Sequence, residues 1–127
     1  MKLRVLDNSI RLRLTRTEVD VLNADGLVRG RVRFAGSNAF DYVLENSPAT
    51  VRPEAHLSNN VITVRVPQAE ISRWVESEQV SIASEQILDD GEHLKILVEK
   101  DFRCLSPRDG EEESDLFPHP DADTRSC

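Results

Sequence analysis

The sequence predicts an α+β fold: about eight strands in an antiparallel sheet or partly closed barrel, two short helices, and an extended acidic C-terminal tail. Three observations carry this. The chain is written twice: shifted by 52 residues, Asp7–Leu14 overlays Asn59–Val66, Glu18-Val19 falls on Glu70-Ile71, and Leu22 falls on Trp74. The same shift continued places Val28 on Val80, Tyr42 on Leu94 and Leu44 on Ile96. In each copy, apolar alternation flanks a short polar turn, then passes into helical spacing, then into two more alternating runs. Each half therefore reads ββαββ, and two copies of one supersecondary unit can pack about a pseudo-twofold axis. The repeat units are 2–46 and 54–98, inside one α+β domain of residues 1–104, with 105–127 as the tail.

The elements follow in order. Residues 2–6 and 9–14 flank Asp7-Asn8, and 54–58 and 61–66 flank Asn59-Asn60. Asn and Asp tolerate the positive φ of a two-residue hairpin turn, so both pairs read as hairpins. Pro53 suits a strand start, where a missing N–H does little harm. Thr15 three residues before Glu18 fits a capping box, Val19, Val21 and Leu22 supply an apolar face, and Gly26 closes the helix. In the second copy Pro67 suits the first helical position, and Ile71, Trp74 and Val75 recur at the spacing of one buried face. The later strands are 28–34 and 39–45, joined by Ala35-Gly36-Ser37-Asn38, and 79–87 and 93–100, joined through Asp89-Asp90-Gly91.

Composition bounds the function. At 127 residues the chain buries enough apolar surface to fold without staples, and with 5% aromatic residues the core is built mainly of Val, Leu and Ile. The net charge of −7 argues against a general nucleic-acid binder, yet it hides a gradient: residues 1–34 carry a net +4, 35–100 a net −6 and 101–127 a net −5. A basic start and an acidic end attract each other or different partners. Cys104 and Cys127 make no disulfide framework, and free thiols suit a reducing cytosol. The first residues lack the apolar core of a signal peptide, and no segment approaches the ~20 apolar residues of a membrane span. The expectation is a cytoplasmic protein that neither enters nor crosses a membrane.

The leading candidate site is a set of arginines. Arg11 and Arg13 point to one side of strand 9–14; Arg29, Arg31 and Arg33 point to one side of strand 28–34. Were the two strands neighbours, five guanidinium groups would share one face, suited to carboxylate or phosphate through their planar forks. The alternative is a solvated outer face with cross-strand partners such as Asp41 or Glu45. Asp109, Glu111, Glu112, Glu113 and Asp115 are acids able to fold back on such a stripe. The tail reads either as an extended acidic segment or as a strap pinned by Phe102, Leu105 and Leu116-Phe117. Cys104, Asp115, His119 and Cys127 are of ligand type but match no compact zinc spacing, so no metal or other cofactor is expected. His56 and His93 stand alone in strands and read as surface or packing residues. There is no Gly-rich phosphate loop, no nucleophile elbow and no zinc-protease helix motif. Cys104 could pair with His119 or with His93 as thiol and imidazole for catalysis; the competing reading is a half-buried cysteine packed beside Leu105.

Two stretches carry a resemblance. Leu97-Val98-Glu99-Lys100-Asp101-Phe102-x-Cys104-Leu105, then Pro107-Arg108-x-Gly110-Glu111 and Asp115-x-Phe117-Pro118-His119-Pro120, resemble the closing signature of a family of short bacterial proteins known as a domain of unknown function. The opening Asn8-Ser9-Ile10-Arg11-Leu12-Arg13-Leu14-Thr15-x-Thr17-Glu18-Val19 is similar to that family's start. The family pattern has Phe-Pro-Asn-Pro where this chain has His119, which counts against a metal or catalytic role there. The resemblance implies no activity, but it singles out the arginine strand and the tail residues Cys104, Arg108, Glu111, Asp115 and Phe117 as one joint site. The sequence thus points to a small non-enzymatic binding domain. Its partner is an anionic small molecule, another protein or a second copy of the chain; the alternative is an enzyme using Cys104 or the tail carboxylates beside the arginines.

Overall fold

The computed structural model describes residues 1–102 and 115–117. In chain order the elements are β1 (Lys2–Leu6), β2 (Ser9–Leu14), α1 (Arg16–Asp25), β3 (Leu27–Arg33), β4 (Ala39–Ser47), β5 (Glu54–Ser58), β6 (Val61–Pro67), α2 (Gln68–Glu76), β7 (Ser81–Ile87) and β8 (His93–Lys100). The α+β class and the doubled ββαββ unit hold. The strands form two four-stranded sheets, not one sheet and not a closed barrel. The first sheet runs β1-β2-β8-β7 and the second β3-β4-β6-β5. Each sheet takes one hairpin from each half of the chain. Hairpin partners are antiparallel, but the hairpins meet through parallel pairs, β2 with β8 and β4 with β6.

Local chemistry explains the elements. Asn59 and Asn60 both take positive φ (50° and 62°), the requirement of the tightest hairpin turn, whereas in the first copy only Asp7 does (48°). The α1 capping box is complete: the Glu18 N–H donates to Thr15 Oγ1 at 3.3 Å, and the Thr15 N–H donates to Glu18 Oε1 at 2.9 Å. Gly26 closes the helix at φ 82° with its N–H on Leu22 O. Pro67 is the cap of α2 and the last residue of β6, one position ahead of the place expected for it.

The repeat is not gapless. Hairpins β1–β2 and β5–β6 and the two helices superpose at a shift of 52. The later hairpins need 54, because Leu27 faces Glu45 as Ser81 faces Glu99. Buried Val28 therefore corresponds to buried Ile82, and Leu44 to Val98, not to Val80 and Ile96. The two extra residues lie between α2 and β7. Trp74 stands where the first copy has Leu22. Its indole N–H is buried and needs an acceptor, which Val80 O supplies at 3.0 Å.

One core serves both sheets and both helices. Leu12, Leu14 and Val98 from the first sheet, Leu44, Val64 and Val66 from the second, and Leu22, Ile71 and Trp74 from the helices are all fully buried. The helices lie across the end of the strands where β2 and β6 finish. The four hairpin turns lie at the opposite end. Single hydrogen bonds, not ladders, bridge the seams between sheets. Tyr42 Oη donates to Met1 O at 3.0 Å, and the Ala55 N–H donates to Gln86 Oε1 at 2.7 Å. Tyr42 lies flat against Gly30, where a Cβ would stand 2.2 Å from the ring.

Candidate functional site

The two sheets divide the predicted arginine stripe. β2 and β3 belong to different sheets, so Arg11 and Arg13 share one outer face while Arg29, Arg31 and Arg33 share another. The five guanidinium groups do not form one site.

On the first sheet, β2 lies between β1 and β8, and the register fixes what faces outward. Arg4 stands opposite Arg11 and Lys2 opposite Arg13 on β1; Leu97 and Glu99 flank the same two arginines on β8. The Arg13 Nε–H donates to Glu99 Oε1 at 2.6 Å, and Arg11 Nε lies 3.5 Å from the same oxygen. One carboxylate is thus shared by two guanidinium groups. Lys2 turns its ammonium to Asp101, 3.1 Å away. Among the described residues this face carries Lys2, Arg4, Arg11, Arg13 and Lys95 against Glu85 and Glu99. An open groove of about 460 Å³ crosses it, lined by Ser9, Arg11, Ala83, Glu85, Lys95 and Leu97. Lys95 escaped the sequence reading because its place beside Arg11 depends on β8 pairing with β2, a contact across some 86 residues that no local pattern announces.

On the second sheet Arg31 grips Asp41 with two hydrogen bonds, 2.7 and 3.0 Å. That pairing holds the Asp41 carboxyl below the ordinary carboxylate range and raises Arg31. The cross-strand alternative is thereby realised for Arg31. Glu45, the other acid expected there, pairs with Arg65 at 2.9 Å. Arg29 and Arg33 are exposed.

The tail residues that are described do not sit on the arginines. Asp115 docks at the start of α1: its backbone carbonyl accepts from the Arg16 N–H at 3.0 Å, and its Oδ1 accepts from Thr17 Oγ1 at 2.8 Å and the Thr17 N–H at 3.2 Å. These bonds hold its carboxyl below the ordinary range. Leu116 is buried, and Phe117 stacks edge-on against Phe102 with centroids 5.8 Å apart. Of the four residues read as pins, Phe102, Leu116 and Phe117 are described and pack in this way. Leu105, Cys104, Arg108 and Glu111, with Asp109, Glu112, Glu113, His119 and Cys127, lie outside the described residues.

The pins enclose Lys100, the one buried lysine among the described residues. β8 directs it inward beside Leu14. Its Nζ donates to Ser77 O at 2.9 Å and lies over the rings of Trp74 and Phe117 at 5.8 and 5.5 Å. Burial pushes its ammonium down from the usual lysine value. A lysine ending a strand of outward charges gives no sequence signal of this. Among the described residues no group of three or more His, Cys, Asp or Glu is placed to hold a metal, and no helix is long and apolar enough to cross a membrane.

A family model matches residues 1–121, nearly the whole chain. The chain belongs to a family of unknown function, DUF7009. The match takes in both repeats, both arginine faces and Asp115–Phe117, and agrees with the expected membership of a family of unknown function. No curated protein and no solved structure matches. The DUF7009 family carries no assigned activity.

Proposed function

We propose that the protein is a non-enzymatic binding domain whose first sheet receives a small anion, a carboxylate or phosphate, on its outer face. The observation that supports it most is the sharing of Glu99: one carboxylate serves Arg13 at 2.6 Å and Arg11 at 3.5 Å beside an open groove that Lys95 also borders. Positive charge is left over where a ligand has room. The Arg11 fork offers parallel N–H donors to a planar or tetrahedral anion, and Lys95 adds a point charge. Leu97 and Ala83 favour a short apolar body between the charged ends. Glu85, on the far wall, disfavours a second negative charge there and favours a hydroxyl or ammonium. The reading includes a cytoplasmic location, in keeping with two cysteines in 127 residues.

Calorimetric titration with 3-hydroxybutyrate and with inorganic phosphate at low ionic strength tests it. A hydrogen bond to a charged group contributes about 1.5–3 kcal/mol, so Arg11→Ala is expected to weaken binding by about tenfold or more. Arg65→Ala, on the other sheet, leaves it unchanged. Equal affinity in the Arg11 variant, or no heat with either anion, would rule the site out.

A further inference from the structure

The second sheet carries a separate basic feature. β3 is an edge strand, paired with β4 on one side only. Its outward positions are Arg29, Arg31 and Arg33, and the fold does not demand cations there. The duplicate strand β7 occupies the same place in the other sheet and has Ala83, Glu85 and Ile87 at the corresponding positions. Asp41 is taken by Arg31. Arg29 and Arg33 flank that pair, two residues to either side along a strand that rises ~3.4 Å per residue. The opposite side of β3 is apolar and runs out of cover toward the turn: Val28 is buried, Val32 is 43% exposed and Phe34 58%.

We propose that the β3 edge docks an extended acidic peptide by strand addition, the peptide presenting carboxylates at alternate positions with apolar residues between them. Main-chain hydrogen bonds to an edge supply affinity without sequence, and alternate side chains supply selectivity. Because side chains alternate across a strand, an added strand in register sets its carboxylates beside Arg29 and Arg33 on the outer face. Its intervening side chains cover Val32 and Phe34. Charge complementarity and the exposed apolar pair select the same ligand. Basic residues also discourage edge-to-edge pairing with another copy of the same strand, so the edge admits an acidic partner while rejecting itself.

The test uses the full chain and a fluorescent peptide alternating Glu and Val over seven residues, followed by anisotropy. A control peptide has the same composition with its glutamates in one block. Binding of the alternating peptide is expected, weakened by about tenfold or more in the Arg29→Glu/Arg33→Glu double variant and to a lesser degree in Arg29→Gln/Arg33→Gln. Arg11→Ala leaves it unchanged. Thermal melts of the variants confirm folding, which the exposure of both side chains favours. Equal binding by the charge-reversed protein overturns the proposal, as does equal binding of the two peptides, which would mean charge attraction without strand addition. A concentration-dependent rise in mass that the double variant abolishes also overturns it, because a second copy would then be the occupant.

Discussion

Asp115 ties the tail to the domain with three acceptor contacts to the first turn of α1, and the helix N-terminus favours the negative charge. Its carboxyl is held below the ordinary 3.8, chiefly by the hydrogen bond from Thr17. A depressed carboxylate stabilises the fold fully above the unfolded value and loses that contribution as pH falls through the folded one. Asp115→Ala is therefore expected to lower the melting temperature most at neutral pH, with the gap to wild type narrowing below about pH 4. Thermal unfolding between pH 2.5 and 7 measures this, and a gap that stays constant over the range would contradict it. Lys100 shows the opposite balance: burial disfavours its ammonium, and the carbonyl of Ser77 with the faces of Trp74 and Phe117 offsets part of that.

At the scale of elements, the helix caps and hairpin turns were legible in the sequence because their causes are local. Thr15, Glu18 and Gly26 sit within one another's reach along the chain, and Asn59-Asn60 defines its own turn. Thr15→Ala removes the side chain that satisfies the Glu18 N–H and is expected to cost about 1 kcal/mol, with Thr15→Ser restoring most of it. Chemical denaturation reads both; a neutral Thr15→Ala variant would mean the reciprocal cap carries no weight. What the sequence did not disclose is which hairpin lies beside which. Arg11 and Arg29 look alike in pattern, and nothing near either one says that β8 adjoins β2 while β4 and β6 part β3 from β5. The 52-residue register also misled beyond the helices, because two residues are added between α2 and β7 and a shift of two leaves strand alternation intact. The candidate site suffered accordingly: its arginines were visible and their companions Lys95 and Glu99 were not.

For the whole molecule, the interleaving of halves has a direct test. Residues 1–52 hold two hairpins and a helix, but the hairpins belong to different sheets and neither has its parallel neighbour. Such a fragment is expected to be unfolded as a monomer, and any structure it gains is expected to come with a doubling of mass, the second copy standing in for the missing half. Circular dichroism with light scattering decides; a folded monomeric half would sink the interleaved description. The same arrangement sets an order of events during synthesis. The second sheet has all its strands once Pro67 is made, whereas β2 waits for β8, whose last residue is Lys100. The hairpin translated first is thus completed last, after on the order of ten seconds at ordinary elongation rates. Throughout that interval the β8 flank of β2 has no partner strand, so its edge amides and carbonyls are open to pairing with any other extended chain.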